Sequence, residues 1–146
     1  MADRTITSMN STLVLTHPVL FPAGVQIYGF STDAAIAADD AEKTVAQKGV
    51  DNRMSVGRVP YIVAWTITLS ADSPSNDVFD AIEAYEKVQR EASKMRFVLS
   101  NPSLNEVRTF SDSVITNYNP IPPHGRTLGA RAYKIASGEC DRVVTA

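Results

Sequence analysis

The sequence predicts an α+β fold that is mainly β: a β-sandwich or barrel-like sheet with one principal helix, at about residues 74–93, packed on it. Three observations predict it. Residues 61–70 alternate between apolar and small or hydroxyl side chains. Residues 78–92 repeat apolar side chains at three- and four-residue steps. Further short segments rich in β-branched and aromatic residues are separated by Gly, Pro, Asn and Ser. With 146 residues the chain is long enough for one domain, spanning 1–146, with a core of its own.

Taken in order, residues 12–16 read as a strand that His17-Pro18 stops. Residues 24–30 alternate, with Val25 and Ile27 on one side and Gln26, Tyr28 and Phe30 on the other. Residues 31–60 hold small and charged side chains and few large apolar ones. Within them, 34–43 tolerates a helix but has too few apolar positions to dock one. Val45 opens a short strand, and Gly49-Val50-Asp51-Asn52-Arg53 reads as a turn. A connection so long and core-poor is expected to be functional, a loop that orders on assembly.

Residues 61–70 form the best strand. Val63, Trp65, Ile67 and Leu69 share a core face; Ala64, Thr66, Thr68 and Ser70 share the other. Ser73 is expected to cap the helix, with Pro74 at its first position and Asp72, Asp77 and Asp80 at the positive end of its dipole. Val78, Phe79, Ile82, Tyr85, Val88 and Ala92 make its apolar stripe, and Phe79 and Ile82 join the core. Residues 95–100 are a strand. Two more, 107–110 and 114–118, are expected around Ser111-Asp112. Residues 119–125 are a proline-stiffened connector, 128–136 a final strand, and the tail from Ser137 is expected to fray.

Composition narrows the function. The formal charge is −2 and no basic cluster exists, which argues against a duplex-DNA binder working by phosphate neutralisation. Cys140 is the one cysteine, so neither an internal disulfide nor a four-cysteine zinc site is available, and a free thiol suits a reducing compartment. No apolar run approaches membrane-spanning length, and Met1–Thr5 has no signal-peptide apolar core, so no membrane insertion is expected.

No catalytic constellation is visible: no phosphate loop, no two-histidine zinc helix, no nucleophile elbow. His17 and His124 read as turn residues beside prolines. Asp39-Asp40 with Glu42 lacks calcium-loop spacing and reads as a solvated acidic stretch. Trp65 sits on an alternating strand and reads as core, not as a stacking platform. The expectation is a protein that is not an enzyme and holds no cofactor or metal. A domain without an active site, with a wet sheet face and a long uncommitted loop, is built to assemble.

Thr66-Ile67-Thr68-Leu69, then Asp72-Ser73-Pro74-Ser75-Asn76-Asp77, then Phe79 and Ile82 resemble tail tube proteins of long-tailed bacteriophages. Gly49-Val50-Asp51 is similar to that family's turn, with Asn52 where glycine is expected. The resemblance covers about residues 49–82. It implies the tail-tube fold, shared with the tube protein of type VI secretion. It further implies hexameric rings stacked into a hollow tube with a continuous β-barrel wall, through which genome DNA is ejected without specific binding. Sheath (in a contractile tail), tape-measure, baseplate and terminator proteins are the implied partners. The virion, made in the host bacterial cytoplasm, is the implied location.

On that reading Thr66, Thr68 and Ser70 are candidates to face the lumen. Asp39, Asp40, Glu42, Lys43, Arg53 and Arg58 are candidates for inter-subunit or inter-ring contacts. Three alternatives remain open: a tail terminator, completion or baseplate-hub ring of the same fold; a small β-rich enzyme with a pocket joining His17 or His124 to acidic partners; and a carbohydrate-binding module with Tyr118 and Tyr133 exposed on one patch.

Overall fold

The computed structural model describes residues 9–31 and 35–144; the readings made at Met1–Thr5 and at Ala34 lie outside them. The strands are β1 (Thr12–His17), β2 (Phe21–Ile27), β3 (Ile36–Ala38), β4 (Thr44–Lys48), β5 (Met54–Arg58), β6 (Val63–Leu69), β7 (Met95–Asn101), β8 (Glu106–Asn117), β9 (Arg131–Ser137) and β10 (Glu139–Val144). The helix α1 (Asn76–Gln89) separates β6 from β7. Pairing runs β2-β1-β7-β8-β9-β6-β3, β10 also pairs with β8, and all these pairs are antiparallel.

Strand β8 belongs to two sheets. Residues 106–111 lie between β7 and β10, and Val114, Ile115 and Asn117 pair with β9. The two short strands expected around Ser111-Asp112 are therefore one strand. Asp112 takes φ 51°, and the register slips there, so the bend carries β8 from one sheet to the other and does not reverse it. The frayed tail expected from Ser137 is likewise absent among the described residues: after Gly138, whose amide donates to the Ser111 carbonyl, the chain returns along β8 as β10.

The two sheets close on one core. Trp65 of β6 meets Phe97 of β7 edge-on at 5.0 Å and stacks on Phe110 of β8 at 4.4 Å. Leu13, Leu15, Ile27, Ile67, Leu69, Ile82 and Ile135 fill the space around them. Each such side chain contributes on the order of 1.5–3 kcal/mol by leaving water. The polar groups beside Trp65 are paired, whereas His17 Nε2 and Asn101 Oδ1 are buried without a hydrogen-bond partner among the described residues. Trp65 Nε1 donates to Ser137 Oγ at 2.9 Å, Ser137 and Ser113 share a hydroxyl contact at 2.8 Å, and Ser113 donates to the Phe110 carbonyl. This relay ties β6, β9 and the bend of β8 together.

The helix starts later than expected and is anchored differently. Ser75, not Ser73, is the N-cap residue, and its side chain makes no cap bond. Both serines are turned onto the end of β2. Ser73 donates to the Tyr28 carbonyl at 2.5 Å, and Ser75 Oγ accepts the Tyr28 amide at 2.9 Å. Gly29 permits the approach: a Cβ there would lie 2.5 Å from Ser73 Oγ, and its φ of +79° suits glycine. Proline at 74 falls in the turn before the helix, where the amides of Asn76, Asp77 and Val78 bond to the carbonyls three residues back.

The helix also ends earlier, at Gln89. Arg90 adopts a left-handed conformation (φ 56°), and the Glu86 carboxylate takes the Ser93 amide. The apolar stripe is correspondingly short. Phe79 and Ile82 are buried, Tyr85 is half-buried, Val88 is exposed, and Ala92 lies beyond the helix.

Candidate assembly surfaces

Two surfaces stand apart from the core. The first is the hairpin β4–β5, inside the stretch expected to lack structure before assembly. It pairs in register from Thr44↔Arg58 to Lys48↔Met54. Its turn is closed by Gly49 N to the Arg53 carbonyl and Asn52 N to the Gly49 carbonyl. Asn52 takes φ 70°, so asparagine does there the work expected of glycine. Among the described residues the hairpin forms a two-stranded sheet of its own, joined to no strand of the body. All of β4 and β5 is exposed except Val45, which is half-buried. Val50, Met54 and Val56 present apolar side chains to water, Met54 and Val56 on the same side of the ladder. An isolated two-stranded hairpin is marginal in water, and the exposed apolar side of this one makes it a candidate contact surface.

The second surface is the outward face of the sheet β3-β6-β9-β8. Because strand side chains alternate, burying Trp65, Ile67, Leu69, Tyr133 and Ile135 turns their neighbours outward. Register then collects Ala37, Thr66 and Lys134 in one row, with Thr68 beside Ala132 and Ala64 beside Ala136 and Val114. Thr66, Thr68 and Ser70 are half-buried, not sealed. Ser70 Oγ is turned to the Phe30 carbonyl at 3.3 Å. Of the core candidates, Trp65, Ile67, Leu69, Phe79 and Ile82 are buried and Val63 is half-buried.

The charged loop candidates separate. Asp39 follows β3 and pairs with Lys134 of β9 at 3.3 Å, on the outward sheet face. Asp40, Glu42 and Lys43 are exposed on the connector to the hairpin, Arg53 is at its turn and Arg58 at its end. At the hairpin root, Arg58–Tyr61 and Gly138–Asp141 border an open cleft of about 620 Å³.

Of the geometry the chemical alternatives require, one part is present: an open cleft of about 250 Å³ is lined by His17, Tyr85 and Glu91. His17 is a buried strand residue, not a turn residue. Its Nδ1 accepts the amides of Val19 and Leu20, which puts the ring proton on Nε2, and its ring meets Tyr85 edge-on at 5.4 Å. Burial holds its pKa below the usual value, opposed by the charge of Glu86. Such a ring has no free basic nitrogen to offer. His124 is exposed, with Nδ1 turned to the Pro122 carbonyl. Tyr133 is fully buried, stacked on Phe79 at 4.2 Å, and Tyr118 is half-buried against Asp80, so they make no exposed aromatic patch. Among the described residues, no group of three or more His, Cys, Asp or Glu is placed to hold a metal, and no helix is long and apolar enough to cross a membrane.

The fold has solved counterparts. The anti-feeding prophage cap, a tube terminating cap, superposes with a TM-score of 0.61 at 10% identity, over 99% of this chain and 95% of that one. A chain of the sheath/tube terminator of an extracellular contractile injection system gives 0.66 at 10% identity, over 99% and 100%. One from the sheath–tube complex of such a system gives 0.64 at 11%, over 97% and 93%. At these identities the likeness is one of fold, and it is the tube-related fold implied by the Thr-x-Thr strand and Ser-Pro-Ser-Asn-Asp segment. No curated protein matches the chain in sequence. The profile of the family described as "Tail fiber protein gp32" matches residues 4–140, nearly the whole chain, and the protein belongs to that family.

Proposed function

We propose that this chain is a structural protein of a phage tail tube. Copies close into hexameric rings, the rings stack, and the bore conducts genome DNA during ejection. The protein carries no catalytic activity. It is part of the virion and meets sheath, tape-measure, baseplate and terminator proteins at the tube surface, lumen and ends. Thr66 and Thr68 face the bore, and residues 31–60 make contacts between copies. One observation carries the reading: the β4–β5 hairpin stands off the body with Val50, Met54 and Val56 exposed, a structure that is marginal in water by itself. A second copy is the occupant that the fold neighbours favour, since those chains come from sheath–tube complexes and tube ends.

Replacing residues 44–58 by a short Gly-Ser linker tests this. The expected result is a monomer that still melts cooperatively, with circular dichroism reduced only by the two missing strands, and no rings or tubes by negative-stain microscopy. Tubes of normal length from that variant overturn the reading. A terminator role is the second reading, favoured by the two terminator or cap counterparts. Concentrated wild-type protein separates the two: a tube protein stacks without limit, whereas a terminator stops at one ring.

A further inference from the structure

Among the described residues, the rows of the outward face of β3-β6-β9-β8 hold mostly small and hydroxyl side chains, with Val114 and Asn117 on β8, and one cation, Lys134, whose ammonium lies 3.3 Å from the Asp39 carboxylate. We propose that Asp39 masks Lys134 and thereby keeps this face from holding a nucleic-acid backbone. The proposal deepens the conduit reading and rests on it for its biological meaning.

The energy of the pair is not the point. Both side chains are about half exposed, at 47% and 51%, and such a bridge adds little to stability. What matters is the field seen by a passing polyanion. A lone lysine acts across a Debye length of about 10 Å, whereas a lysine with a carboxylate beside it acts as a dipole and fades faster. In a ring the effect repeats once per copy at one height of the bore. Unmasked, those lysines form a cationic collar. Each phosphate they neutralise steepens the salt dependence of binding by about 0.9 and adds to the hold on the strand. A duplex that must slide is then retained.

The placement of Asp39 has a local cause. Its amide donates to the Ala64 carbonyl at 2.8 Å, extending the β3–β6 ladder by one bond; this places Asp39 opposite Ala64, one row along the same face from the Ala37–Thr66–Lys134 row, and its carboxylate meets Lys134 on the diagonal. The sequence separation of the two residues hides the pairing from any local pattern.

The test uses the full-length protein on immobilised duplex DNA, with the eluting salt concentration as readout. Wild type, Asp39→Asn, Lys134→Gln and the double variant are compared, with thermal melting as the folding control and Asp39→Ser as a second unmasking variant. The unmasked variants are expected to elute at higher salt, with a log–log slope steeper by about one per subunit. The double variant is expected to elute as wild type does, and Lys134→Gln, which leaves a bare carboxylate, at or below the wild-type salt concentration. Co-elution of Asp39→Asn and Asp39→Ser with wild type overturns the proposal, as does retained extra affinity in the double variant. The measurement needs no tube, because the face is exposed on a single subunit. Failure of the conduit reading shows instead as wild-type protein that never assembles.

Discussion

The start of helix α1 and the β4–β5 hairpin lie within twenty residues of each other in the chain and are held in opposite ways. At the helix start Ser73, Ser75, Asn76 and Asp80 are bonded into the body, while Asp72 and Asp77 stay exposed. Asn76 donates to the Ser70 carbonyl and accepts the Tyr133 hydroxyl at 2.9 Å, Ser73 and Ser75 bind both backbone groups of Tyr28, and Arg131 donates to Asp80 at 2.9 Å. The hairpin bonds only to itself and turns its apolar side chains to solvent. The comparison separates a region bonded into the body from one that is not. On the proposed reading, the helix–sheet junction carries the folding free energy and the hairpin is the part that a second copy completes. Substitutions in the first region should damage the monomer; those in the second should spare it and damage the assembly.

The largest effect is expected at Phe79. It is fully buried and stacked on Tyr133 with the rings 10° from parallel. Phe79→Ala removes the stack and leaves a cavity, at a cost of about 3–5 kcal/mol by urea denaturation. A loss below 1 kcal/mol would show that the junction is not where stability resides.

Asp80 comes next. Its partner Arg131 is 6% exposed at the side chain and also donates to the Asn119 carbonyl, so Asp80→Ala leaves a buried cation half-satisfied. A loss of about 1–2 kcal/mol is expected, held to the low end because Asp80 itself is 44% exposed. The hydrogen bond from Arg131 holds the Asp80 carboxyl below its ordinary pKa of 3.8, with burial opposing and Tyr118 assisting. The folded value being the lower one, the contribution is complete above about pH 4 and is lost as pH falls through the folded pKa. Acid titration of the melting temperature in wild type and Asp80→Ala reads the difference: the two curves should converge at the acid end.

His17 should give a smaller dependence at higher pH. Burial depresses its pKa below 6.5, so the unfolded chain takes up a proton before the folded one does. Stability is complete above pH 6.5 and declines below it. His17→Asn keeps an acceptor for the Val19 and Leu20 amides and should flatten that slope in a melting series.

These regions also differ in how far the sequence disclosed them. Strand β6 was legible because one face is fully covered, which imposes strict alternation from Val63 to Leu69. The helix was legible from Phe79 and Ile82, but its ends were not. Ser73 looks like a cap in sequence, yet its hydroxyl is spent on Tyr28, 45 residues away. The bend of β8 was misread because a residue at positive φ inside a strand has the same composition as a turn. Strand β10 was invisible because Cys140 alone is half-buried on an otherwise exposed edge, so no apolar alternation survives. The Trp65–Ser137–Ser113 relay joins residues 72 and 24 apart, beyond any local pattern. The Asp39–Lys134 pair on the candidate lumen face was hidden for the same reason, whereas the sequence shows residues 44–58 only as part of a core-poor stretch with a turn at 49–53, and the second strand of the hairpin stays hidden because Met54 and Val56 are exposed.

The smallest effect on the monomer is expected at Val56, and it is the most discriminating. Val56 is 63% exposed and lies opposite Ala46 in the ladder, beside Met54. Val56→Asp removes no packed side chain and meets no carboxylate across the strand, so the monomer should melt within about 0.5 kcal/mol of wild type. In an assembly the same position would be covered, and a carboxylate buried there without a partner costs several kcal/mol, repeated at every copy. Ring and tube formation should then be lost while circular dichroism stays unchanged. Val56→Ile, which adds apolar surface and no charge, should assemble as wild type does. If Val56→Asp assembles normally, the hairpin's exposed side is not a contact surface, and the division between a stability region and an assembly region fails at its second half.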